Sequence, residues 1–378
     1  MAQDKDQKTL NVPPLRFPGF TDEWKKTTLG DISVSISSGK SGNPIEDGDY
    51  YLYGSTGIIG LTDNGDYDGE KILVARVGAN AGRINYNNCR CGITDNTLII
   101  RIKEYSTKFI YFHLIHSNLN RLVFGSGQPL ITGGMLKKLS IGLPSSKECD
   151  KIVSLLNCIE ERIATQNKII DNLQSLIKGL AKTHYDSCET LSNVRIRELG
   201  EPYSVMNLSK EQLSDNGQPC ILYGELFTQY GPVIESIYSK TNVESNLSLS
   251  NGRDLLFPSS TTVDALSLIA PSALTKPNII LGGDMFGIKV ANEYSPEYLS
   301  YYFNYIGNHE LAKYAIGSTI IHLHYKDIAE HTIAVPTLRN QLSFVKLAST
   351  MKSKIENERS VLHNLKTLKA YLLQAMFI

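Results

Sequence analysis

The stretch PSSKECDKIVSLLNCIEERIATQNKIIDNLQSLIKGLAKTHYD, residues 144–186, has a second copy in the chain. That copy is PTLRNQLSFVKLASTMKSKIENERSVLHNLKTLKAYLLQAMFI, residues 336–378, and a shift of 192 positions aligns the two without a gap. In both, apolar positions recur at alternating steps of three and four, the period of a coiled-coil seam. The predicted seam contains Ile152, Leu155, Ile159, Ile163, Gln166, Ile170, Leu173, Ile177 and Leu180, and in the second copy Phe344, Leu347, Met351, Ile355, Glu358, Leu362, Leu365 and Leu372, with Lys369 between the last two.

Connectivity predicts the direction of the helix pair. A domain of the size that lies between the copies has a radius of gyration of about 15 Å, whereas 28 helical residues extend about 42 Å. The domain most easily joins helix ends that lie close together, so we expect the helices to be antiparallel. Gln166 and Glu358 are then expected to meet as a polar layer that fixes the register. Two unrelated amphipathic core helices are the alternative, but they leave the ungapped alignment unexplained.

Length and composition indicate a cytoplasmic protein of two or three domains. The chain has 378 residues, of which 42% are hydrophobic, enough for a sizeable core. Neither an apolar run long enough for a membrane span nor an apolar N-terminal signal segment is present in the sequence. The six cysteines form no framework, and the pair Cys89 and Cys91 has no second pair at zinc-ligand spacing. We therefore expect reduced thiols and no metal.

The charge is unevenly distributed although the net charge is zero. Residues 187–338 carry −7 and residues 339–378 carry +5, while residues 1–27, 28–146 and 147–186 carry +1, +1 and 0. A non-specific DNA-binding protein normally has a basic excess. Composition alone therefore argues against nucleic acid.

The two blocks outside the repeated helices share a plan of short strands and turns. Turn dipeptides such as Asn64-Gly65 and Asp68-Gly69 separate β-rich runs at 72–77 and 97–102. In the first block we predict a helix at about 108–120, a short helix near 135–138 and a strand at 139–143. Landmarks recur in the second block: Leu29-Gly30-Asp31 as Leu199-Gly200-Glu201, Tyr53-Gly54 as Tyr223-Gly224, Glu104-Tyr105-Ser106 as Glu293-Tyr294-Ser295, and Gly125-Ser126 as Gly317-Ser318.

The sequence contains no complete catalytic motif. Ser38-Gly39-Lys40-Ser41 resembles the end of a phosphate-binding loop, but Val34 occupies the position of its first glycine. His322 and His324 form an H-x-H without a third metal-ligand candidate at useful spacing. Neither a nucleophile elbow nor an amino-methyltransferase motif is found. The chain is therefore interpreted as a binding protein and not as an enzyme.

Loops rich in Gly and Ser next to polar side chains are typical of nucleic-acid recognition, since backbone N–H groups meet phosphates and side chains meet base edges. For any single residue, a turn or solvated surface remains the alternative. Arg76 and Arg83, which flank 77–82, are the leading candidates. The predicted DNA contacts are Lys40, Ser55, Thr56, Arg76, Asn80, Arg83, Ser126 and Gln128 in the first block, and Gln229, Arg253, Ser259, Ser260, Thr261, Ser318, Thr319, His322 and Lys326 in the second.

Several segments resemble the specificity (S) subunit of type I restriction–modification systems. They are LRFPGFTDEWKKTTLGDI, YGSTGIIG, DGEKILVARVGANAG and GSTIIHLHYKDI, and the duplicated helices extend the resemblance over nearly the whole chain. The implied fold is α+β (mixed α/β), with two target-recognition domains joined by two long antiparallel coiled-coil helices in a pseudo-two-fold repeat. The implied domains are 1–146 (with an extension at 1–27) and 187–338 for recognition, and 147–186 and 339–378 as spacer helices.

The resemblance implies a non-catalytic subunit that recognises a bipartite double-stranded DNA site, one half-site per domain. Two methyltransferase (modification) subunits and restriction/translocase subunits are the implied partners, and S-adenosylmethionine, ATP and Mg²⁺ belong to them. The loops GSGQPLITGG and GSTIIHLHYK differ, so the half-sites should differ. The acidic second block predicts weak DNA binding by the isolated chain. A two-headed coiled-coil adaptor for proteins remains the main alternative, and a free-standing restriction–methylation enzyme is the other.

Overall fold

The computed structural model describes residues 11–122 and 129–378. The chain forms two compact units. Unit 1 contains residues 1–167 together with 360–378, and unit 2 is the continuous segment 168–359. Each unit therefore combines one globular block with segments of both repeated helices.

Unit 1 opens with a strand and a one-turn helix. Thr28 caps that helix by accepting a hydrogen bond from the backbone N–H of Asp31. Its elements are β1 (Lys25–Thr28), α1 (Leu29–Ile32), β2 (Ser33–Ser38), β3 (Tyr50–Gly54), β4 (Gly57–Thr62), β5 (Lys71–Ala75), β6 (Ile84–Asn87), β7 (Gly92–Ile93), β8 (Thr97–Ile102), α2 (Thr107–Ser117), α3 (Gly133–Lys137) and β9 (Ser140–Leu143), followed by α4 (Ser146–Asp186).

Unit 2 has the same succession with more strands. It contains β10 (Leu191–Arg195), β11 (Gly200–Ser204), β12 (Leu213–Leu222), α5 (Glu225–Thr228), β13 (Val233–Ile234), β14 (Ser239–Thr241), β15 (Ser248–Asn251), β16 (Asp254–Pro258), β17 (Ser260–Thr261), α6 (Ala265–Leu268), β18 (Ser272–Leu274), β19 (Pro277–Gly282), β20 (Met285–Val290), α7 (Pro296–Tyr305), α8 (Asn308–Ala312), β21 (Ile321–His322), α9 (Tyr325–Ile328), β22 (Thr332–Pro336) and α10 (Leu338–Ala375).

Corresponding sheets have corresponding strand orders. The order β2-β8-β5-β6 in unit 1 is matched by β11-β20-β16-β18-β13 in unit 2, and β4-β3-β7 is matched by β14-β12-β19-β15. The outer pairs β1-β9 and β10-β22 are both antiparallel. The internal repeat predicted from the sequence therefore extends to sheet topology.

The aromatic helices begin in the same way in both units. Ser106 caps α2 by accepting from the N–H of Phe109 at 3.2 Å, and Ser295 caps α7 by accepting from the N–H of Tyr298 at 3.2 Å. These serines close the matched triplets Glu-Tyr-Ser of the sequence. Their predicted equivalence is confirmed.

The predicted equivalence of Leu29-Gly30-Asp31 and Leu199-Gly200-Glu201 is wrong by three residues. The N–H of Leu29 donates to the carbonyl of Leu139, and the N–H of Ile196 donates to the carbonyl of His331. Ile196 therefore takes the position of Leu29. Leu199 takes the position of Ile32, because both carbonyls accept from the segment that precedes the aromatic helix. An offset chosen from residue identity alone missed this shift.

The long helices are antiparallel, as predicted. In unit 1 the Lys369 ammonium of α10 contacts the Glu160 carboxylate of α4 at 2.8 Å. In unit 2 the His184 ring near the end of α4 lies 5.3 Å from the Phe344 ring near the start of α10. Early positions of one helix thus meet late positions of the other. The predicted polar layer of Gln166 and Glu358 joins residues of different units and stays a prediction.

The buried stripe departs from the predicted seam at the start of each helix. Leu347 is 43% exposed, and Ala348 beside it is 2% exposed. The equivalent Leu155 is half-buried while Leu156 is fully buried. Leu156 belongs to the core of the globular block together with Trp24 and Phe109. The first turns therefore pack against a globular block, which requires a different face than packing against a second helix, and Leu347 is corrected to a surface residue.

The end of each long helix is held by the aromatic helix of its unit. The Phe377 ring, which is fully buried, lies 5.2 Å from the Phe109 ring and 5.8 Å from the His113 ring. In unit 2 the Tyr185 ring lies 5.5 Å from the Tyr302 ring. These pairs correspond through the offsets of 192 and 189 positions found in the sequence. Within the described residues, no helix is both long and apolar enough for a bilayer span.

Candidate nucleic-acid interface

In unit 1 the candidate site begins where β5 ends. The Arg76 N–H donates to the Asn96 carbonyl at 2.9 Å, and the Arg76 carbonyl accepts from the Ile131 N–H at 2.8 Å. The side chain is half-buried, and its Nε has no hydrogen-bond partner among the described residues. The strand end thus presents one cation whose backbone is fixed on both sides.

A tight turn places Asn80 and Arg83 beside this strand end. The Gly82 N–H donates to the Ala75 carbonyl, and the Ala75 N–H donates to the Arg83 carbonyl, at 2.9 and 2.8 Å. Gly82 has φ +92°, and a Cβ there would lie 2.4 Å from Asn120 Oδ1, so both conformation and space require glycine. Asn80 and Arg83 line an open cavity of about 420 Å³. Three of the predicted contacts are therefore brought together.

Unit 2 forms an equivalent junction after β16. The Ser259 carbonyl accepts from the Leu323 N–H at 2.9 Å, as Arg76 accepts from Ile131 in unit 1. Ser260 then pairs with His322 and Thr261 pairs with Ile321 in the two-stranded sheet β17-β21. Ser259 and Ser260 are buried, whereas Thr261 and His322 are half-buried.

A hairpin carries the exposed polar residues of this junction. Ile316 and His322 exchange backbone hydrogen bonds of 2.9 and 2.8 Å, which closes a loop containing Ser318 and Thr319. Gly317 in this loop has φ +138°, and a Cβ there would lie 2.0 Å from the Ile320 carbonyl oxygen. The His322 and His324 rings stack at 6.1 Å. Lys326 is exposed on the neighbouring helix α9. Seven predicted contacts therefore share one region: Ser259, Ser260, Thr261, Ser318, Thr319, His322 and Lys326.

The remaining predicted residues of unit 1 lie in other loops. Lys40 is exposed just after β2, and Ser55 and Thr56 form the turn between β3 and β4. Ser126 and Gln128 lie outside the described residues. These five positions stay predictions.

Two predicted residues of unit 2 lie apart from the junction. The Arg253 guanidinium donates to the carbonyls of Val290, Ala291 and Tyr294 at 3.0, 2.8 and 2.6 Å, which gives it a structural role. Gln229 lines a cavity of about 560 Å³ together with Lys178 and Lys352 of the long helices. As DNA contacts, both residues stay predictions.

Sequence reasoning missed an exposed apolar set beside the unit 2 junction. Val263 is 72% exposed and Ile316 is 71% exposed, and Ile320 lies in the same hairpin. Val263 and Thr261 also line a cavity of about 440 Å³ with Phe227 and Tyr230. Burial raises the pKa of Tyr230 to about 12, so its hydroxyl is protonated at neutral pH. The apolar residues of the run Ile316-Gly-Ser-Thr-Ile-Ile could have indicated this set in the sequence.

The chemistry of both junctions suits binding. They offer guanidinium, hydroxyl, amide and imidazole groups, the set that hydrogen-bonds to base edges and phosphates. In the part of the chain that the structure describes, no cluster of three His, Cys, Asp or Glu side chains could hold a metal ion.

Comparisons with known proteins agree with the resemblance found in the sequence. Residues 21–175 match the family model of the type I restriction modification DNA specificity domain. The EcoprrI type I restriction enzyme specificity subunit of Escherichia coli is 26% identical over 179 residues, which are 43% of this chain and 44% of that protein. A protein of Mycoplasma pneumoniae (strain ATCC 29342 / M129 / Subtype 1) named as a type I specificity subunit is 25% identical over 121 residues, or 30% of this chain and 40% of that one. The chain thus spans less than half the length of these curated relatives.

Solved structures extend the likeness to both units. The S subunit of a type I restriction–modification system from M. genitalium superposes with a TM-score of 0.59 and 17% identity, covering 97% of this chain and 99% of that one. A chain solved to explain complex assembly and conformational transition of the type I R-M system gives a TM-score of 0.57 and 13% identity, covering 95% and 98%. The chain therefore matches the type I restriction modification DNA specificity domain over residues 21–175 and has, along nearly its whole length, the fold of these type I S subunits.

Proposed function

We propose that this chain is the DNA-specificity subunit of a type I restriction–modification complex. Each unit recognises one half of a bipartite double-stranded DNA site through the junction after β5 or β16. The chain itself is non-catalytic and needs no cofactor of its own. S-adenosylmethionine, ATP and Mg²⁺ serve the methyltransferase and restriction subunits that it binds, and the complex is cytoplasmic.

The observation that carries this proposal is the pair of junctions. One backbone arrangement occurs twice in the chain. The residue at the strand end is Arg76 in unit 1 and Ser259 in unit 2, and the loop sequences GSGQPLITGG and GSTIIHLHYK also differ. A scaffold kept constant around variable polar surfaces is what two different half-sites require. The matches to specificity subunits favour DNA over protein as the bound partner.

The long helices also offer a repeated surface for partner subunits. Ile169 and Leu176 on α4, in unit 2, are 36% and 48% exposed. Val361 and Leu368 occupy the equivalent positions of α10, in unit 1, and both are 45% exposed. Residues seven apart lie on one face of a helix, so each unit presents one apolar pair. Two equivalent apolar surfaces suit two copies of a methyltransferase subunit.

The decisive experiment is co-expression of the chain with its methyltransferase subunit, followed by methylation-resolved sequencing of host DNA. A split motif with a fixed gap is expected, and exchanging residues 28–146 for those of a relative should change one half only. An assembled, active complex that methylates without a split motif would favour the adaptor alternative.

The role of the helices as a spacer has its own test. Insertion of four residues, about one helical turn, at equivalent positions of α4 and α10 should lengthen the gap between the half-sites. An unchanged gap in an assembled complex would contradict the proposal that helix length sets the spacing.

The repeated apolar surface is tested by charge insertion. Leu176→Asp and Leu368→Asp should each release one methyltransferase subunit, seen as a step in the mass of the complex. Ser175→Asp and Thr367→Asp, which alter exposed neighbours on another face, are the matched controls. Equal effects of test and control variants would locate the partners elsewhere.

A further inference from the structure

We infer that Arg76 is a specificity-determining residue that binds a guanine of the unit 1 half-site, whereas Arg83 contacts a phosphate. This inference rests on the proposed function and assigns two different roles to two arginines of one turn. Both guanidinium groups lack a hydrogen bond or ion pair with the described residues, so both are available.

The backbone of Arg76 is fixed on both sides by hydrogen bonds. Its N–H and its carbonyl are held by Asn96 and Ile131 at 2.9 and 2.8 Å, and the side chain is half-buried. Recognition of a base edge needs a donor held to within about half an ångström. Arg76 meets that requirement better than an exposed arginine on a free stem.

The Nε of Arg76 is a buried donor without a partner among the described residues. Native proteins rarely leave such a donor unpaired. Arg76 is therefore a charged donor group for which a bound ligand can supply acceptors. A planar guanidinium accepts two partners side by side, either two phosphate oxygens or the O6 and N7 atoms of guanine.

Comparison of the units decides between these two acceptors. A phosphate clamp would serve both half-sites alike, since the backbone of DNA is the same at both. The equivalent position in unit 2 is Ser259, which is 5% exposed and has no charge. A cation that occupies the strand end of one junction but not that of the other varies as a sequence-reading group does. We therefore assign guanine to Arg76.

Arg83 has the opposite character. Its side chain is exposed, and its backbone alone is tied to the strand, through Ala75 and Asn80. An exposed cation gains most of its binding from charge and counterion release, which does not depend on sequence. This fits a phosphate contact.

The experiment uses the full chain assembled with its methyltransferase partner and duplexes of the motif found by methylation sequencing. Affinity is measured for every single-base change in the unit 1 half-site and at several salt concentrations. Arg76→Lys keeps the charge and removes the two-fold hydrogen bond. It should reduce discrimination at one G·C pair by about tenfold to a hundredfold with little change in salt dependence. Arg83→Lys should leave discrimination intact, and Arg83→Gln should lower the salt slope by about 1.

A modified base identifies the atom that is contacted. Replacing the implicated guanine by 7-deazaguanine removes the N7 acceptor and should weaken wild-type binding about as much as Arg76→Lys does. The two changes together should be no worse than either alone, because they delete one interaction. Fluorescence of Trp24, the single tryptophan, checks that each variant is folded.

Failure of this inference differs from failure of the proposed function. A wild-type complex without sequence preference would remove the proposed function. A wild-type split motif that Arg76→Lys leaves unchanged, or an additive effect of 7-deazaguanine, would overturn only the guanine assignment. Uniform weakening by Arg76→Gln with a reduced salt slope would make Arg76 a phosphate contact.

Discussion

The junction after β5 in unit 1 and the junction after β16 in unit 2 share a backbone and differ in chemistry. In each, a carbonyl at the strand end accepts from a residue of the returning loop, Ile131 or Leu323. The side chain at the strand end is a half-buried arginine in one unit and a buried serine in the other. Because these backbone bonds fix each strand end, the side chains there can change without loss of the fold.

A second contrast between the units lies where the long helices pack against the globular block of each unit. Unit 1 buries Phe377 and the ion pair of Arg16 and Glu148, while unit 2 has Tyr185 and a neutral Asn340 at the equivalent positions. The junctions after β5 and β16 therefore differ in what they can bind. The contacts at the ends of the long helices differ in how much they stabilise their unit. Each contrast can be tested by variants made in pairs.

The largest expected effect concerns the aromatic contacts at the end of each long helix. Phe377→Ala removes a fully buried ring from contact with Phe109 and His113 and should lower the free energy of unfolding of unit 1 by about 3–5 kcal/mol. Tyr185→Ala, on a half-buried ring of unit 2, should leave the Trp24 transition unchanged. Urea unfolding followed by Trp24 fluorescence measures this difference, and equal shifts would show that the units do not unfold separately.

The next effect concerns a charge that unit 2 lacks. The Arg16 guanidinium bonds to both oxygens of the buried Glu148 carboxylate, at 2.8 and 2.7 Å. Arg16→Ala leaves that carboxylate without its cation and should destabilise unit 1 by about 3 kcal/mol. Asn340→Ala in unit 2 is the matched variant and should lose less than about 1 kcal/mol. A similar loss in both would mean that the ion pair adds no more than a neutral contact.

Comparison of Arg253 with Arg76 separates the structural role of an arginine from a role in DNA recognition. Arg253→Ala removes three hydrogen bonds to backbone carbonyls and should destabilise unit 2 by about 2–3 kcal/mol, measured by hydrogen exchange of β16 and β20. The DNA motif should be unchanged, in contrast to the Arg76 variants. A changed motif with normal hydrogen exchange would return Arg253 to the DNA interface.

The smallest expected effect depends on pH. Burial, with a smaller contribution from the charge of His116, lowers the pKa of His113 to about 4. The pKa of a histidine in an unfolded chain is about 6.5. The neutral ring, whose Nε2 accepts from the Gly142 N–H at 3.1 Å, therefore stabilises unit 1 fully above pH of about 6.5. That stability is lost as the pH falls toward 4, by at most about 2 kcal/mol between pH 7 and 5.

His113→Gln should flatten this part of the pH dependence of unit 1 unfolding. The exposed His309 provides the control, since His309→Gln should leave the profile unchanged. The equivalent residue of unit 2 is Tyr302, which is not a histidine. An unaltered profile in His113→Gln would assign the acid sensitivity of unit 1 to other groups.

Long-range periodicity made the helix pair predictable from sequence. Predicted spacer helices at 147–186 and 339–378 compare with α4 at Ser146–Asp186 and α10 at Leu338–Ala375. The β-rich run at 97–102 is β8, and the serine caps of α2 and α7 follow from a triplet repeated in the sequence. Such features depend on local residue pattern, which a sequence displays directly.

Features that depend on distant contacts were not predictable. Leu347 is exposed because the first turns of α10 pack against a globular block and not along the seam. The role of Arg253 depends on carbonyls 37 to 41 residues away. The fully buried Lys71, whose ammonium donates to the carbonyls of Gly69 and Cys89, gave no signal at all. Burial of this lysine lowers its pKa.

The return of residues 360–378 to unit 1 has a consequence for synthesis on the ribosome. Unit 2 is one continuous segment, so it can fold as soon as residue 359 has emerged, while unit 1 still lacks part of α10 and Phe377. The block that is translated first is therefore the one completed last. Until then, the surface formed by Trp24 and Phe109 is uncovered, and chaperone binding to stalled nascent chains should concentrate there.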